Sequence, residues 1–297
     1  MANLKEIRNR IKSVKSTQQV TKAMKMVAAA KLKRAQDRNI QLRPYAAKLQ
    51  EIIRNLTAVL SADDIPSDLV VAREVENVLI VLVTSNRGLC GPFNTNIIKH
   101  ASQFIDEHYA DKVASGNIHF LCIGRKGYEH FKKRGFSMLT ENQDVYGDLT
   151  FEAVNAVTDR IFEGYRSGEF DKVHLLYNEF KNVMQQNCKT ETFLPLATED
   201  LGGEEQEEKI KSDYTFEPNR EDILKEMIPK SLRIQVFRSV LESNASEQGA
   251  RMVAMDTATE NANELLKELR ISYNKARQAT ITKEILEIAS GANALGA

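Results

Sequence analysis

The side chains that most often carry chemistry are scattered along this chain of 297 residues. Its five histidines form neither an HExxH pair nor a spacing typical of a catalytic triad. They therefore indicate no zinc peptidase and no nucleophilic hydrolase, and we expect ordinary surface or hydrogen-bonded histidines. The five are His100, His108, His119, His130 and His174.

Thiols and carboxylates indicate no better site. Cys90, Cys122 and Cys188 are widely separated and include no CxxC pair, so zinc binding is not expected. An odd number of cysteines without a signal peptide favours a reducing, cytosolic setting. The acidic clusters at residues 63–64 and 204–208 lie in polar segments typical of solvated loops. The sequence thus predicts no catalytic residue, no metal and no cofactor.

A glycine-containing turn follows a short, strongly apolar run. Residues 78–83 read VLIVLV, typical of a buried strand, and residues 85–92 read SNRGLCGP before a predicted helix. Strand, glycine turn and helix are the context in which many proteins bind nucleotide phosphates. The letters match no dinucleotide or P-loop pattern, however, and the GRKG at residues 124–127 fits no better. We therefore expect a tight strand-to-helix connection.

Strands and helices alternate through the middle of the chain. Further strands are predicted over residues 118–123, 173–180 and 190–196, and helices over 94–108, 126–133 and 150–167. This alternation predicts a central Rossmann-like α/β domain over residues 75–197, with a mainly parallel sheet. An acidic loop and contact segment over residues 198–218 follows it.

Both ends of the chain show long helical patterns. Residues 251–290 lack proline and are rich in helix-forming residues, which predicts a helix of about 60 Å. A globule of this length has a diameter of about 50 Å, so such a helix must project and needs a partner. The segments 1–60 and 219–297 are predicted to pair as a long antiparallel coiled coil, which forms a shaft.

The expected seam of this pair is apolar in stretches and polar at Gln18 and Thr21. Its predicted apolar positions are Ile7, Ile11, Val14, Val20, Met24, Val27, Ala28, Leu32 and Ala35 on the first helix, and Ala262, Leu265, Leu269, Ile281, Ile285, Ile288 and Ala292 on the second. We expect the pairing to bring residues near Ala28 and Ala276 side by side.

Two prolines and one glycine are expected to limit these helices. Pro44 should kink the first helix or end it near Arg43. Pro229 should interrupt the second helix or start its main part, which would then run to about Ser290 with Gly249 as a weak point.

Charge is balanced overall but unevenly distributed. Residues 1–38 hold eleven Lys or Arg against two acids, whereas residues 199–208 hold six acids and no base. Such segregation favours electrostatic partners at particular surfaces over general nucleic-acid binding. No apolar run approaches 18 residues, so no membrane-spanning helix is expected.

Several motifs at both ends and in the first turn together resemble one family. They are Ile11–Val14 with Thr17-Gln18, Thr21–Lys31, Arg87–Gly91, Ala250–Met255, and Tyr273–Ala279 with Ile281-Thr282. Over essentially its whole length the chain is similar to the γ subunits of rotary F-type ATP synthases. The resemblance implies a central stalk that turns inside a hexamer of α and β subunits and transmits torque from the c-ring to the catalytic β subunits.

The resemblance also implies partners and a location. The foot of such a subunit sits on the membrane c-ring beside the ε subunit, and the enzymatic activity belongs to the complex rather than to the shaft. The chain shows neither a transit peptide nor the cysteine pair of the plastid type. A bacterial complex at the cytoplasmic face of the inner membrane is therefore expected, with this chain as a peripheral subunit.

Individual residues acquire roles only through this resemblance. Met24 and Lys25 match the region near an acidic lever loop of the β subunit, and Arg277 and Gln278 match a pair that contacts a β loop. Phe216 and Glu217 match the foot residues that meet the c-ring. The apolar residues near the C-terminus match the tip that turns in an apolar collar of the hexamer, namely Ile281, Ile285 and Ile288.

Two other functions stay open at this point. A nucleotide-dependent enzyme built on the α/β domain would need a phosphate loop, and titration with ATP or NAD would reveal it. A coiled-coil scaffold for nucleic acid is suggested by the basic first helix, although aromatic stacking residues are missing there before Tyr45. A salt-sensitive gel shift would support that function.

Overall fold

The computed structural model describes residues 4–57, 68–141, 144–147, 149–196 and 219–295. Its helices are α1 (Leu4–Thr57), α2 (Phe93–His108), α3 (Ala110–Ser115), α4 (Arg125–Lys133), α5 (Phe151–Arg166) and α6 (Arg220–Leu295). Its strands are β1 (Val78–Val83), β2 (Ile118–Ile123), β3 (Ser137–Glu141), β4 (Lys172–Phe180) and β5 (Gln186–Leu194).

The five strands form one sheet in the order β3-β2-β1-β4-β5. Strands β3, β2, β1 and β4 run parallel, and only β5 is antiparallel to its neighbour β4. All six residues of the central strand β1 are buried, as expected for a parallel strand covered on both faces. The mainly parallel α/β sheet predicted from the sequence is confirmed.

Alternate residues of β1 lie in two different cores, because successive side chains of a strand point to opposite faces. Leu79, Val81 and Val83 belong to a core that also contains buried residues of α5 and α6. On the other face lie Val78, Ile80 and Leu82, in a core built with buried residues of α2 and α4. The sheet is therefore covered by helices on both faces.

The chain divides into two compact units, each of which contains part of both long helices. Unit 1 comprises residues 1–29 and 251–297, and unit 2 comprises residues 30–250. These boundaries cut through both long helices, whereas the sequence-based division assigned each helix whole to the shaft. The sheet and both of its cores belong to unit 2.

Pro44 does not end the first helix near Arg43, so that alternative is wrong, and the kink stays a prediction. Helix α1 continues through Pro44 to Thr57. Proline in a helix interior costs about 3 kcal/mol because a backbone hydrogen bond is lost. The carbonyl that loses its partner belongs to Ile40, whose side chain is 61 % exposed, so water can reach this side of the helix. Apolar side chains buried beyond the proline, such as Leu49 and Ile53, favour continuation.

Helix α6 is likewise longer than predicted. It is one helix from Arg220 to Leu295 and includes Pro229 and Gly249. Gly249 lies against Phe180 and Val183, where a Cβ would stand 3.4 Å from the Phe180 ring. Packing at this position explains why the expected weak point continues as helix.

Three short elements were missed. They are β3, α3 and a 3₁₀ turn over Asp144–Tyr146. Strand β3 is an edge strand with the sequence SMLTE, which lacks the apolar run that marks the central strands. Strand β5 also begins earlier than predicted, at Gln186, and six of its nine residues are only half-buried.

Candidate functional site

The two chain ends form an antiparallel helix pair in unit 1. Among the described residues of this unit, four side-chain hydrogen bonds join α1 to α6, and the residue number falls on α6 as it rises on α1. They are Arg8 to Tyr273 (2.9 Å), Gln18 to Asn263 (2.5 Å), Thr259 to Thr21 (2.8 Å) and Lys25 to Asp256 (2.6 Å). The predicted antiparallel pairing is thus confirmed.

The seam of the pair follows a heptad pattern. On α1 the buried and half-buried positions alternate in steps of three and four: Leu4, Ile7, Ile11, Val14, Gln18, Thr21, Lys25 and Ala28. On α6 the matching positions are Met252, Met255, Thr259, Ala262, Leu266, Leu269, Tyr273 and Ala276. Polar residues therefore occupy three successive seam positions of α1, and the polar character predicted for Gln18 and Thr21 is confirmed.

Part of the predicted apolar stripe lies outside the seam. Val20 and Val27 are 54 % and 56 % exposed, so their assignment to the seam is wrong, and only Met24 of that group is half-buried. The prediction followed apolar residues alone, so it departed from the heptad pattern at the positions where the seam residues are polar. On α6, Leu266 is buried, whereas the predicted Leu265 is half-buried.

The expected juxtaposition of Ala28 with Ala276 is also wrong. Ala28 lies three residues beyond Lys25, and Val253 lies three residues before Asp256, so the register places Ala28 level with Val253. Ala28 is 1 % exposed and therefore belongs to the seam, but at another level of the pair.

Met24 and Lys25 occupy different environments although they are adjacent. The Lys25 ammonium lies 2.6 Å from the Asp256 carboxylate, and the two side chains are 39 % and 45 % exposed. Met24 is half-buried beside this ion pair. Val20, Met26 and Val27 lie on the exposed surface of the same helix. Counting heptads through the polar residues would have identified this exposed apolar surface from the sequence.

The described C-terminal end of α6 is exposed on all sides. Arg277 and Gln278 are exposed, as is every residue from there to Gly291. Ile281, Ile285 and Ile288 are 46 %, 59 % and 72 % exposed and recur at helical spacing, so they lie along one face. The prediction that these three residues are buried in the helix–helix seam is therefore wrong.

Near Tyr273, charge and hydroxyl interact directly. Arg8 donates to the Tyr273 hydroxyl, and this hydrogen bond lowers the pKa of Tyr273 and raises that of Arg8. The Arg8 guanidinium also lies 5.8 Å from the centre of the tyrosine ring.

Phe216 and Glu217, the predicted foot residues, lie outside the described residues.

In unit 2, both candidate phosphate turns pack against the chain itself: residues 85–92 after β1 and residues 124–127 after β2. Gly124 has φ +110°, and a Cβ there would stand 2.0 Å from the Thr84 carbonyl oxygen, so only glycine fits. The Thr84 hydroxyl accepts from the Gly127 amide at 2.9 Å, and the Asn94 side chain accepts from the Ser85 amide at 3.0 Å. These donors therefore serve the connection rather than a phosphate group.

Helix α6 packs beside this turn. Cys90 and Phe93 form a buried cluster with Ala250, and the Ser246 hydroxyl donates to the Asn178 carbonyl of β4 at 3.0 Å. Ligands of open α/β sheets bind at the carboxyl ends of the strands where strand order reverses, which in this sheet is between β1 and β4. The chain's own helix lies close to that position.

Glu191 is a carboxylate of unit 2 with several hydrogen-bond partners. Burial raises its pKa, but hydrogen bonds from Lys189, Gln235 and Tyr177 outweigh this and lower it overall. The Lys189 ammonium lies 2.7 Å from Glu191, and the Tyr177 hydroxyl donates at 2.9 Å. A carboxylate held in this way is a poor proton acceptor, so the network joins β4, β5 and α6 rather than serving acid–base chemistry.

Neither a metal cluster nor a membrane span emerges from the described part of the chain. Within residues 4–57, 68–141, 144–147, 149–196 and 219–295, no three His, Cys, Asp or Glu side chains are grouped as metal ligands. Within the same ranges, no helix combines the length and apolar character needed to cross a bilayer.

Solved structures share this fold. The chain superposes on chains of the Euglena gracilis mitochondrial ATP synthase, one from a structure of the rotor and one from a structure of OSCP/F1/c-ring. The TM-scores are 0.61 and 0.63, at 20 % and 21 % identity. These matches cover 94 % and 98 % of this chain, and 98 % and 94 % of those chains. A chain from the central stalk/c-ring structure of the Tetrahymena thermophila enzyme matches with a TM-score of 0.55 at 25 % identity, covering 80 % of this chain and 99 % of that one.

Sequence comparisons define the family. A family model described as ATP synthase matches residues 3–295. The ATP synthase gamma chains of Chloroherpeton thalassium, Cytophaga hutchinsonii and Chlorobaculum tepidum are 54 %, 51 % and 52 % identical to this chain, with 99 % of both chains covered in each case. With its antiparallel helix pair and its parallel α/β sheet, this chain belongs to the family of ATP synthase gamma chains.

Proposed function

We propose that this chain is the central rotor shaft of a proton-translocating F-type ATP synthase. The observation that carries the proposal is the antiparallel pairing of the two chain ends, on a chain that belongs to the gamma family over its whole length. Two helices wound about each other resist twist better than one, so the pair is suited to transmit torque from a c-ring to catalytic β subunits.

In this role the chain makes no bond in the substrate. The paired carboxylate Glu191 and the self-occupied turn at Gly124 support a shaft that leaves chemistry to its neighbours. The partners are the α and β subunits of the hexamer, the ε subunit and the c-ring. Through that complex the chain is peripheral at the cytoplasmic face of a bacterial inner membrane, as befits the bacterial origin of the relatives.

The proposed contact with the β subunit includes Met24 and Lys25. Val20 and Val27, exposed on the same helix, supply apolar area, and nearby basic residues suit an acidic lever loop. Lys25 already pairs with Asp256, so an approaching carboxylate would share its ammonium. Arg277 and Gln278 are exposed and form the second proposed contact, with a β loop farther along the shaft.

Two further partner contacts are proposed, one with the hexamer and one with the c-ring. Ile281, Ile285 and Ile288 expose an apolar face that suits the apolar collar of the hexamer. Apolar contact is non-directional, so it holds the tip with small angular barriers. Phe216 and Glu217 are proposed for the c-ring on the strength of the family resemblance alone.

Co-purification with α and β subunits of the same enzyme tests the proposal. We expect a complex that contains all three, with ATP hydrolysis faster than that of α and β without the chain. Replacing both Arg277 and Gln278 with Ala should slow hydrolysis, whereas Arg270→Ala, exposed on the same helix, should not. A chain that fails to co-purify, or that alone binds ATP stoichiometrically at micromolar concentration, would contradict the proposal.

A further inference from the structure

The helix pair has an unusual distribution of polar residues along its seam. Three successive seam positions of α1 are Gln18, Thr21 and Lys25, and each contacts a polar partner on α6. Apolar or small residues lie on both sides of this stretch, including Val14 and Ala28. An apolar zipper of the same length would bury more carbon, so the polar stretch has some use other than maximal stability.

We propose that these three cross-helix pairs lock the register of the shaft, so that the two helices cannot slide along each other. The three pairs, Gln18–Asn263, Thr21–Thr259 and Lys25–Asp256, are called the register lock here. The inference concerns the chain itself and holds whichever partners bind it.

A slide of one heptad shows why the apolar seam alone is insufficient. Such a slide keeps the same helix faces together and moves one helix by about 10 Å. Ile11 lies level with Leu269 and would meet Ala262 or Ala276 after the slide, depending on direction. Each of these partners is apolar, so the seam at Ile11 discriminates weakly between registers.

The polar pairs discriminate strongly. After the same slide Thr21 would face Leu266 or Met252, and neither side chain can donate the hydrogen bond that the Thr21 hydroxyl accepts from Thr259 in the native register. Lys25 would face Asn263 or Gly249, and neither is charged, so the ion pair with Asp256 is lost. Gln18 would face Arg270 or Asp256, both polar, so its pair with the exposed Asn263 discriminates least. The native register is nevertheless the only one of the three that satisfies all three pairs.

A register lock matters most in a shaft under load. Torque applied to a two-helix coil couples twist to axial slip, because each helix winds around the other. Contacts that resist slip therefore hold Met24 on α1 and Arg277 on α6 at fixed positions along the shaft. The residues of the register lock are therefore positioning residues for Met24 and Arg277.

Spin-label distances measure the register directly. Labels at Ser13 and Asn261, both exposed, are offset by about 10 Å along the axis in the native register. A one-heptad slide either brings the labels level or raises that offset to about 21 Å. The chain also carries Cys188→Ser, because Cys188 is only half-buried and would react with the label.

The test variant makes the lock apolar: Gln18→Leu, Thr21→Val, Lys25→Leu, Asp256→Leu, Thr259→Val and Asn263→Leu. We expect it to stay helical and to show at least one additional distance population displaced as described. The matched control adds apolar residues on the outer surface at exposed positions, with Glu260→Leu, Glu264→Leu and Lys267→Leu, and should keep the single native distance. Measurements use the full chain, alone and in complex with α and β subunits.

A charge swap provides the second arm. Lys25→Asp alone places two carboxylates opposite each other and should broaden or split the distance distribution. The double variant Lys25→Asp with Asp256→Lys restores an ion pair and should restore the single native distance. A single native distance in the apolar variant would overturn the proposal, as would a double swap that behaves like Lys25→Asp alone. Loss of ATPase coupling with an unchanged register would instead concern the rotor function.

Discussion

At the scale of single residues, His174 is held by several contacts within the fold. His174 lies within β4, where the Tyr109 hydroxyl is 2.7 Å from its Nε2 and the Thr192 hydroxyl is 3.5 Å from its Nδ1. The ring also packs edge-on against Phe104. Burial, helped by the positive charges of Lys172 and His108, lowers the pKa of His174 to about 4.

This environment makes stability depend on pH in a definite direction. The unfolded chain binds a proton at His174 near pH 6.5, whereas the folded chain does so near pH 4. The contribution of the neutral His174 ring to the free energy of unfolding is therefore fully present above pH 6.5. It is lost as pH falls towards 4, and the loss is about 3 kcal/mol at most. Urea unfolding of His174→Gln should show a shallower loss between pH 7.5 and 4.5 than the parent chain.

A second histidine variant serves as the control for this experiment. His108 is exposed, and its charge is the smallest of the three causes that lower the pKa of His174, so His108→Gln should retain most of the pH dependence of the parent. If His174→Gln also follows the parent curve, burial of the neutral ring does not govern this part of the pH profile.

At the scale of elements, the end of β1 and the start of α4 approach each other closely. The turn at Gly124 has a positive φ, and its Cα passes so close to the Thr84 carbonyl that a methyl group cannot fit. A Cβ added at Gly127, in the first turn of α4, would stand 3.0 Å from Leu82 and 3.1 Å from Thr84. These glycines set how closely α4 packs on the sheet.

Gly124→Ala should therefore destabilise the chain by at least about 2 kcal/mol, from backbone strain together with the clash. Thermal or urea unfolding measures the loss. Gly88→Ala is the matched control, because its added methyl group meets no atom within 4 Å, and we expect a change within about 0.5 kcal/mol. Equal stabilities of the two variants would show that the turn adapts more readily than its geometry indicates.

At the scale of the whole molecule, exposed apolar area indicates where partners bind. The described end of α6 carries Ile281, Ile285, Leu286 and Ile288, all at least 46 % exposed. Extended exposed apolar surfaces of this kind mark interaction sites or cause self-association. For a chain with a formal net charge of zero, little electrostatic repulsion opposes that association.

Charged residues on this face should separate the two effects. Ile285→Glu with Ile288→Glu is expected to reduce self-association of the isolated chain and to weaken its assembly with α and β subunits. Light scattering and co-purification measure these outcomes. Lys283→Glu, a charge change in the same exposed turns, should leave assembly intact. Normal assembly and turnover of the double variant would argue against an apolar bearing.

How far the sequence predicts this structure depends on what each signal measures. The buried run of β1 and the helical patterns of both ends were sufficient for the sheet and for the helix pair, because apolar periodicity reports burial directly. The register of the pair was not predicted correctly. It depends on Gln18, Thr21 and Lys25, which are polar seam residues that hydrogen-bond to partners on α6.

The candidate partner contacts were predictable only through family resemblance. Nothing in the periodicity distinguishes an exposed Gln278 that contacts a subunit from one that contacts water.

The edge strand β3 and the continuation of α1 past Pro44 were missed for a different reason, since tertiary packing overrides local preference at both places.

The pairing of the first helix with the last has a consequence for biosynthesis. The cross-helix contacts join residues separated by 231 to 265 positions, so the early segment leaves the ribosome long before its partner exists. At about 5–20 residues per second, the wait is on the order of ten seconds or more. Throughout that interval the seam residues Ile7, Ile11 and Val14 lack their partner helix. A nascent chain with such an unpaired apolar face depends on chaperones or on other subunits to avoid aggregation.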